Sequence, residues 1–239
     1  MTRAWLDGKP LGKGNSLCTP HRYFARNIPA GQHVLVLRVS NVGYPTKGGH
    51  LTSPDTQSNW LGITGEVSLE AGQSLLWNVQ CEVLPDLRSI RVQACVAGTD
   101  MVELSVSDWY HGTAAVIDGQ LDIVCRFAQQ PPLWSDRQPT LLTLRVTAGQ
   151  TAIEQHIGLR RMSTEGRKLL LNGDPVYLRG THDGMAFPLT GAAPTDLPAW
   201  RRYFSIIKEW GLNHVRYHTC CPPEAAFAAA DELGLLLEP

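Results

Sequence analysis

The last third of the chain, residues 170–239, limits its architecture more than any other stretch. "LLLNGDPVYLRGTHD" and "GLNHVRYHTCCPPEAAFAAADELGLLLEP" read in order as strand, helix, strand, helix, strand. Strands joined through helices run parallel, because only a crossover of a dozen or more residues can bring the chain back in the same direction. Such a sheet needs cover on both faces and at its edges. Three parallel strands are therefore the opening of an α/β unit, and the expectation is that the chain stops inside it.

The individual elements are legible from local chemistry. Asn172-Gly173 is the strongest short-range turn signal and sets a hairpin over residues 168–178. "VYLRGTHD" follows as the predicted first parallel strand, with Val176 and Leu178 on one side, Tyr177, Arg179 and Thr181 on the other, and His182 and Asp183 at its end. A helix is expected next, capped by Thr195 or Asp196, tolerant of Pro198 in its first turn, apolar along Leu197, Trp200, Phe204 and Ile207, and stopped by Gly211. In the second strand, residues 213–218, Val215 and Tyr217 alternate with His214, Arg216 and His218. Pro222-Pro223 opens a small-residue helix with Phe227, Ala230 and Leu233 inward, Gly234 ends it, and "LLLEP" is the third strand.

Upstream, the pattern is β throughout. Asp7-Gly8 between two short apolar runs predicts a hairpin, and "QHVLVLRVS" (32–40) is apolar on both faces, as for a strand buried between two layers. Residues 44–60 are rich in Gly, Pro, Ser and Thr and read as a long loop, after which Ile63, Val67 and Leu69 suggest another strand. These strands are too few to close a sandwich, so the early strands are expected upstream of Met1. Residues 75–161 form a second β segment. Ile90, Val92, Ala94 and Val96 share a face, as do Val102, Leu104 and Val106, then Leu121, Ile123, Cys125 and Phe127, then Leu142, Leu144 and Val146. Short strands at this spacing predict an immunoglobulin-like sandwich. The expected divisions are 1–70 for a partial jelly-roll sandwich, 71–161 for the immunoglobulin-like sandwich and 162–239 for the start of a (β/α)8 barrel.

Composition excludes several functions. With 43% apolar residues and a formal net charge of −1, the chain lacks the basic surplus of a nucleic-acid binder. No apolar run reaches the roughly 20 residues that span a bilayer, and nothing after Met1 reads as an export segment, so localisation stays open. The six cysteines are scattered and are expected mostly as free thiols. Cys95, Trp109 and Cys125 echo a disulfide over a buried tryptophan, but lie close in sequence for that framework, and free core thiols are the expected state. His214, His218, Cys220 and Cys221 are metal-ligand types without the paired spacings of structural zinc, so neither metal nor cofactor is expected. Arg216 and His218, at the C-terminal end of a parallel strand, sit where ligands bind in α/β barrels; hydrogen bonding within the fold is the competing role.

Taken together, "WLDGKPLGKG", "TPHRYF", "NWLGITGEVSL", "PLWSDRQPTLLTLRV", "GLRRMSTEGRKLLLNGDPVYLRGTHD" and "LNHVRYHTCCPPEAAFAAADELG", in this order, resemble glycoside hydrolase family 2, which includes β-galactosidases, β-glucuronidases and β-mannosidases. The resemblance implies a retaining exo-glycosidase built from a sugar-binding-type sandwich, an immunoglobulin-like spacer and a catalytic barrel. Retention needs two carboxyl groups roughly 5–5.5 Å apart. In the family these are a glutamate of an Asn-Glu pair after the fourth barrel strand and another ending the seventh. Both are expected beyond Pro239, leaving the chain without hydrolytic activity alone, and Glu238 is not expected to replace them.

By the same resemblance Arg216 corresponds to the arginine that steadies the active-site carboxylates and the bound sugar. His182, Asp183 and His218 are expected sugar contacts, and Asn59 and Trp60 could reach the pocket from the first sandwich. Where the family has a Ser-His-Tyr-Pro run after that arginine, this chain has "YHTCCPP". The expected partner is a carbohydrate bearing a terminal β-glycoside. A second reading is a non-catalytic carbohydrate-binding sandwich with Trp60, Trp77 or Trp109 as a platform, against core packing for each. A third, with Cys220 or Cys221 as a nucleophile, lacks a base geometry.

Overall fold

The computed structural model describes residues 1–16, 19–40, 62–63, 65–218 and 220–239. The fold is mainly β, with two helices near the C-terminus. Strands β1 (Thr2–Leu6), β2 (Lys9–Gly14) and β3 (Leu35–Val39) form an antiparallel sheet of order β2-β1-β3. The predicted hairpin is present: Asp7 and Gly8 both take positive φ, 49° and 77°, the requirement that selects Asp-Gly there. Asp7 also fastens β3, its Oδ1 accepting the Val34 N–H at 2.8 Å and its Oδ2 meeting His33 Nδ1 at 2.6 Å. These contacts hold the Asp7 carboxyl below its ordinary range, the Val34 N–H foremost, and raise His33.

Two expectations for this region are corrected. Strand β3 forms, but it is not a core strand: Val34 is 62% exposed, and Leu35, Val36 and Leu37 are exposed as well. Among the described residues no second sheet covers this one; Ala4 is its only fully buried residue, on the face where Thr2 Oγ1 meets His21 and Tyr23. The strand anticipated around Ile63, Val67 and Leu69 is also absent among the described residues, which are irregular there, with Leu69 88% exposed. Without a neighbouring ladder, apolar alternation has nothing to pack on. The predicted loop over residues 44–60 lies outside the described residues.

The next seven strands are β4 (Leu75–Val83), β5 (Ser89–Ala97), β6 (Met101–Val106), β7 (Tyr110–Ala115), β8 (Gln120–Arg126), β9 (Leu142–Ala148) and β10 (Thr151–Ile157). They build two antiparallel sheets, β4-β5-β8 and β10-β9-β6-β7. The four predicted inward rows meet between them, and Ile90, Val92, Val106, Leu121, Leu144 and Val146 are fully buried. Cys95 and Cys125 are free, as expected. Strand β5 pairs Cys95 with Gln120 and Ile90 with Cys125, so both thiols lie in one sheet at opposite ends of the register and cannot bridge two sheets.

Strands β11 (Met162–Glu165), β12 (Lys168–Leu171) and β13 (Asp174–Pro175) form two successive hairpins, with Asn172 at φ 55° and Gly173 at φ 92° in the predicted turn. Then come β14 (Gly180–Asp183), α1 (Leu197–Glu209), β15 (His214–Tyr217), α2 (Glu224–Leu233) and β16 (Leu236–Glu238), with the three strands parallel in the order β14-β15-β16. The first parallel strand is shorter than predicted. The Val176 N–H bonds to the Leu169 carbonyl, as part of the hairpin. The buried Asn213 side chain then stands in for a neighbouring strand, accepting the Arg179 N–H at 2.8 Å and donating to the Tyr177 carbonyl at 3.1 Å.

Helix α1 is capped by Asp196, whose Oδ1 accepts the Ala199 N–H at 2.9 Å, and it buries Trp200, Phe204 and Ile207 as the stripe predicted. Helix α2 departs from expectation. Ala226, Ala229 and Ala230 are its buried face, so the predicted Ala230 is inward, while Phe227 is only half-buried.

One short segment joins the sandwich to the parallel unit. Trp134, fully buried, donates its Nε1–H to the Asp231 carbonyl of α2 at 2.7 Å, while Arg160 lies 4.5 Å over its ring and pairs with the Asp231 carboxylate at 2.9 Å. Two residues on, the Asp136 carboxylate accepts from Asn213 at 2.8 Å and its carbonyl from Lys208 Nζ at 2.9 Å. Gly234, at φ 75° after α2, is required by this approach, since a Cβ there would meet the Asp136 carbonyl at 2.5 Å.

Two predictions follow from these contacts. Trp134→Ala removes a buried indole and leaves a cavity, and is expected to cost about 3–5 kcal/mol. Urea titration followed by sandwich and helix probes separately should also lose coincidence. For Asp7–His33, the carboxylate's contribution is lost as pH falls through its lowered pKa, and the imidazole's as pH rises through its raised one. The pair is therefore at full strength between about pH 4 and about pH 6.5. The protection factor of the Val34 amide should peak there, and His33→Gln should erase the high-pH limb while keeping the low one.

Candidate functional site

The parallel sheet has two unlike faces, and β15 shows why. Val215 and Tyr217 are buried with Trp200, Phe204 and Ile207 of α1 and the alanines of α2. The alternate residues, His214, Arg216 and the following His218, lie on the opposite face, as the strand period demands. Parallel register then extends this open face sideways. His182 is beside Arg216, and Arg216 beside Glu238, so an imidazole, a guanidinium and a carboxylate lie in one row near the C-terminal ends of three strands.

The row is internally paired. Arg216 Nε donates to Glu238 Oε1 at 3.2 Å, and the other Glu238 oxygen lies 3.5 Å from His214 Nε2. The His182 and His218 rings meet with centroids 5.1 Å apart at 43°. Gly180, opposite His214 in the register, leaves the space that the His214 ring occupies; a Cβ there would fall within the contact distance of Nδ1.

Asp183 is at the same strand end but takes a different place from the sugar contact expected of it. It is 8% exposed and lies on the helix-covered face beside Tyr217 in the register. Its Oδ1 accepts the Met185 N–H at 2.6 Å, and its Oδ2 the Tyr203 hydroxyl at 2.9 Å. The alternation that puts His182 on the open face puts Asp183 behind it. Burial, with the Asp183 charge second, pushes the Tyr203 and Tyr217 hydroxyls well above the usual phenol range.

Asn59 and Trp60 lie outside the described residues. Trp77 is in ring contact with Phe24 at 4.9 Å, and Trp109 packs against the sandwich core. Cys220 is buried, and Cys221 donates to the Pro222 carbonyl at 3.6 Å. Among the described residues no cluster of three metal-ligating side chains occurs, and no helix is long and apolar enough to cross a membrane. The residues that sequence reasoning missed are His214 and Glu238 as the frame of Arg216. Their signal was the register, which a strand read alone does not contain.

No protein-family profile matches the chain. In sequence it is 34% identical over 119 residues to a putative β-glucuronidase of Formosa agariphila, covering 47% of this chain and 14% of that protein. It is also 29% identical over 86 residues to a β-galactosidase of Staphylococcus xylosus, covering 36% of this chain and 9% of that one. In fold, a GH2 β-galacturonidase from Eisenbergiella tayi, solved bound to galacturonate, superposes with a TM-score of 0.76 at 22% identity, over 99% of this chain and 45% of its own. A β-glucuronidase from Faecalibacterium prausnitzii superposes with a TM-score of 0.66 at 19% identity, with the same coverages of 99% and 45%. The chain thus has the fold of glycosidases. Its resemblance to glycoside hydrolase family 2 holds in sequence and in structure, and it spans less than half the length of the proteins it matches.

The frame around Arg216 is testable. Gly180→Ala is expected to destabilise the chain by about 1–3 kcal/mol through overpacking against His214. In Gly180→Ala/His214→Ala, chemical denaturation should recover part of that loss, which an unrelated backbone effect of alanine would not permit.

Proposed function

We propose that this chain is part of a retaining glycosidase acting on terminal β-glycosides, and that it supplies the sugar-facing rim made by the first strands of a (β/α)8 barrel. In this reading residues 1–70 belong to a jelly-roll-like sandwich, 71–161 to an immunoglobulin-like spacer and 162–239 to the barrel. One observation carries it. The parallel sheet keeps its apolar side for the helices and its His182, Arg216 and His218 side open, near the strand ends where barrels bind ligands. Arg216 holds sugar hydroxyls or a sugar carboxylate through a planar set of donors, oriented by Glu238. His182 and His218 offer a ring surface and hydrogen-bonding edges beside it.

In this reading neither carboxylate of the parallel sheet, Glu238 or Asp183, is the acid/base or the nucleophile of double displacement. Supporting this, the row's carboxylate, Glu238, is shared between Arg216 and His214, and the Asp183 carboxylate is buried with both oxygens bonded. The purified chain is expected to release no nitrophenol above background from β-galactoside, β-glucuronide or β-galacturonide substrates; turnover that survives repurification would sink the proposal. Galactose and galacturonate titrations followed by NMR should shift Arg216, His182 and His218 resonances, and Arg216→Ala should abolish the shifts. Shifts confined to the sandwich strands would favour a carbohydrate-binding sandwich instead.

A further inference from the structure

Asp183 has an arrangement that neither a surface ligand contact nor ordinary strand packing explains. It ends β14 on the helix-covered face, and three different segments converge on it. Through Oδ1 it receives the N–H of Met185, a buried residue held at φ 53° in the turn after the strand. Through Oδ2 it receives the hydroxyl of Tyr203, from the middle of α1. Its own backbone carbonyl receives the N–H of His218, just past the end of β15, at 2.9 Å.

We propose that Asp183 is a positioning residue for the rim, locking the ends of β14 and β15 and the turn into α1 so that the His182 and His218 rings meet. The inference deepens the sugar-site reading above and rests on it for the use of the rim. His182 is the residue immediately before Asp183, and His218 is tied to Asp183 by its backbone, so both rings hang from one anchored point. Their 5.1 Å contact on the open face is the consequence.

The chemistry demands a carboxylate. Both groups that face it are donors, and an ionised carboxylate accepts at two oxygens without offering a proton of its own. Asparagine would keep one acceptor for the Met185 N–H and turn its NH₂ to the Tyr203 oxygen, so the Tyr203 hydroxyl proton would lose its acceptor. The left-handed backbone at Met185 lacks the glycine that would make it free of strain, so it persists only because its surroundings hold it. Asp183 is the group in contact that does so.

The test uses the full chain, isotopically labelled, and reads the nuclear Overhauser contact between the His182 and His218 ring protons. That contact is expected in the wild type, lost in Asp183→Asn, and weakened in Tyr203→Phe, which removes one tie and keeps the other two. Sandwich resonances from β4–β10 should stay in place in both variants. An intact ring contact in a folded Asp183→Asn chain would overturn the proposal. If Asp183→Asn unfolds the parallel unit, Tyr203→Phe decides: unchanged His182 and His218 ring signals there overturn it, and a weakened contact supports it. Because no sugar is present, the outcome is separate from the sugar reading. Loss of the ring contact in a chain whose wild type binds neither galactose nor galacturonate would uphold the positioning role and reject the rim as a sugar site.

Discussion

The burial of Trp134 against the carbonyl of Asp231 is the constraint on which the arrangement of the chain depends. A tryptophan can be fully buried only if its N–H finds an acceptor, and here the acceptor belongs to a helix 97 positions later. Arg160 closes the contact from above, with its guanidinium on the ring and its charge on the Asp231 carboxylate. One indole therefore joins the end of the sandwich to the outer helix of the parallel unit. Asp136, on the same segment, repeats the arrangement with Asn213 and Lys208, which flank the start of β15. The strand carrying Arg216 is thus held at its N-terminal end by the sandwich.

That division of labour runs through the parallel unit. Its buried polar groups serve the backbone: Asn213 satisfies Tyr177 and Arg179 where β14 has not yet begun, and Asp183 satisfies Met185 where it has just ended. Each takes over hydrogen bonds that a longer strand would have made, which is why strands of three or four residues suffice. The open face keeps the cationic and imidazole groups, in a solvated row where a charge costs little. Burial sorts the polar residues by role, and the strand period of two does the sorting.

How much of this could be read in the sequence varied with the range of the forces involved. Turns and caps were legible because they depend on neighbours: Asp7-Gly8, Asn172-Gly173 and the Asp196 cap are where local chemistry puts them. The inward rows of the sandwich were legible because alternation reports a two-layer core. The same signal misled at β3, where apolar residues on both sides implied a strand buried between two layers and Leu35, Val36 and Leu37 are exposed. Phe227 failed for a related reason, since periodicity identifies a helix face but not the clearance between helix and sheet. Of the candidate site, strand alternation placed Arg216 and His218 on the open face, but it said nothing of Glu238 and His214 as neighbours or of Tyr203 as partner to Asp183. Those pairings are set by parallel register and by the crossing of α1, both tertiary facts.

The place of Asp183 shows what a polar strand end can and cannot say. His182 and Asp183 are adjacent, both polar, and both at the mouth of a parallel strand, so proximity to the ligand end makes them look equivalent. Alternation makes them opposites, because one of two consecutive strand residues must face the helices. A charged residue sent to that side is tolerated only with its oxygens bonded, and the nearest donors are those of the following turn and helix. Both oxygens of the carboxylate are accordingly bonded within the fold, and the imidazole beside it lies on the open face. Here the last residue before the turn is the one whose side chain reaches both the turn, at Met185, and the covering helix, at Tyr203.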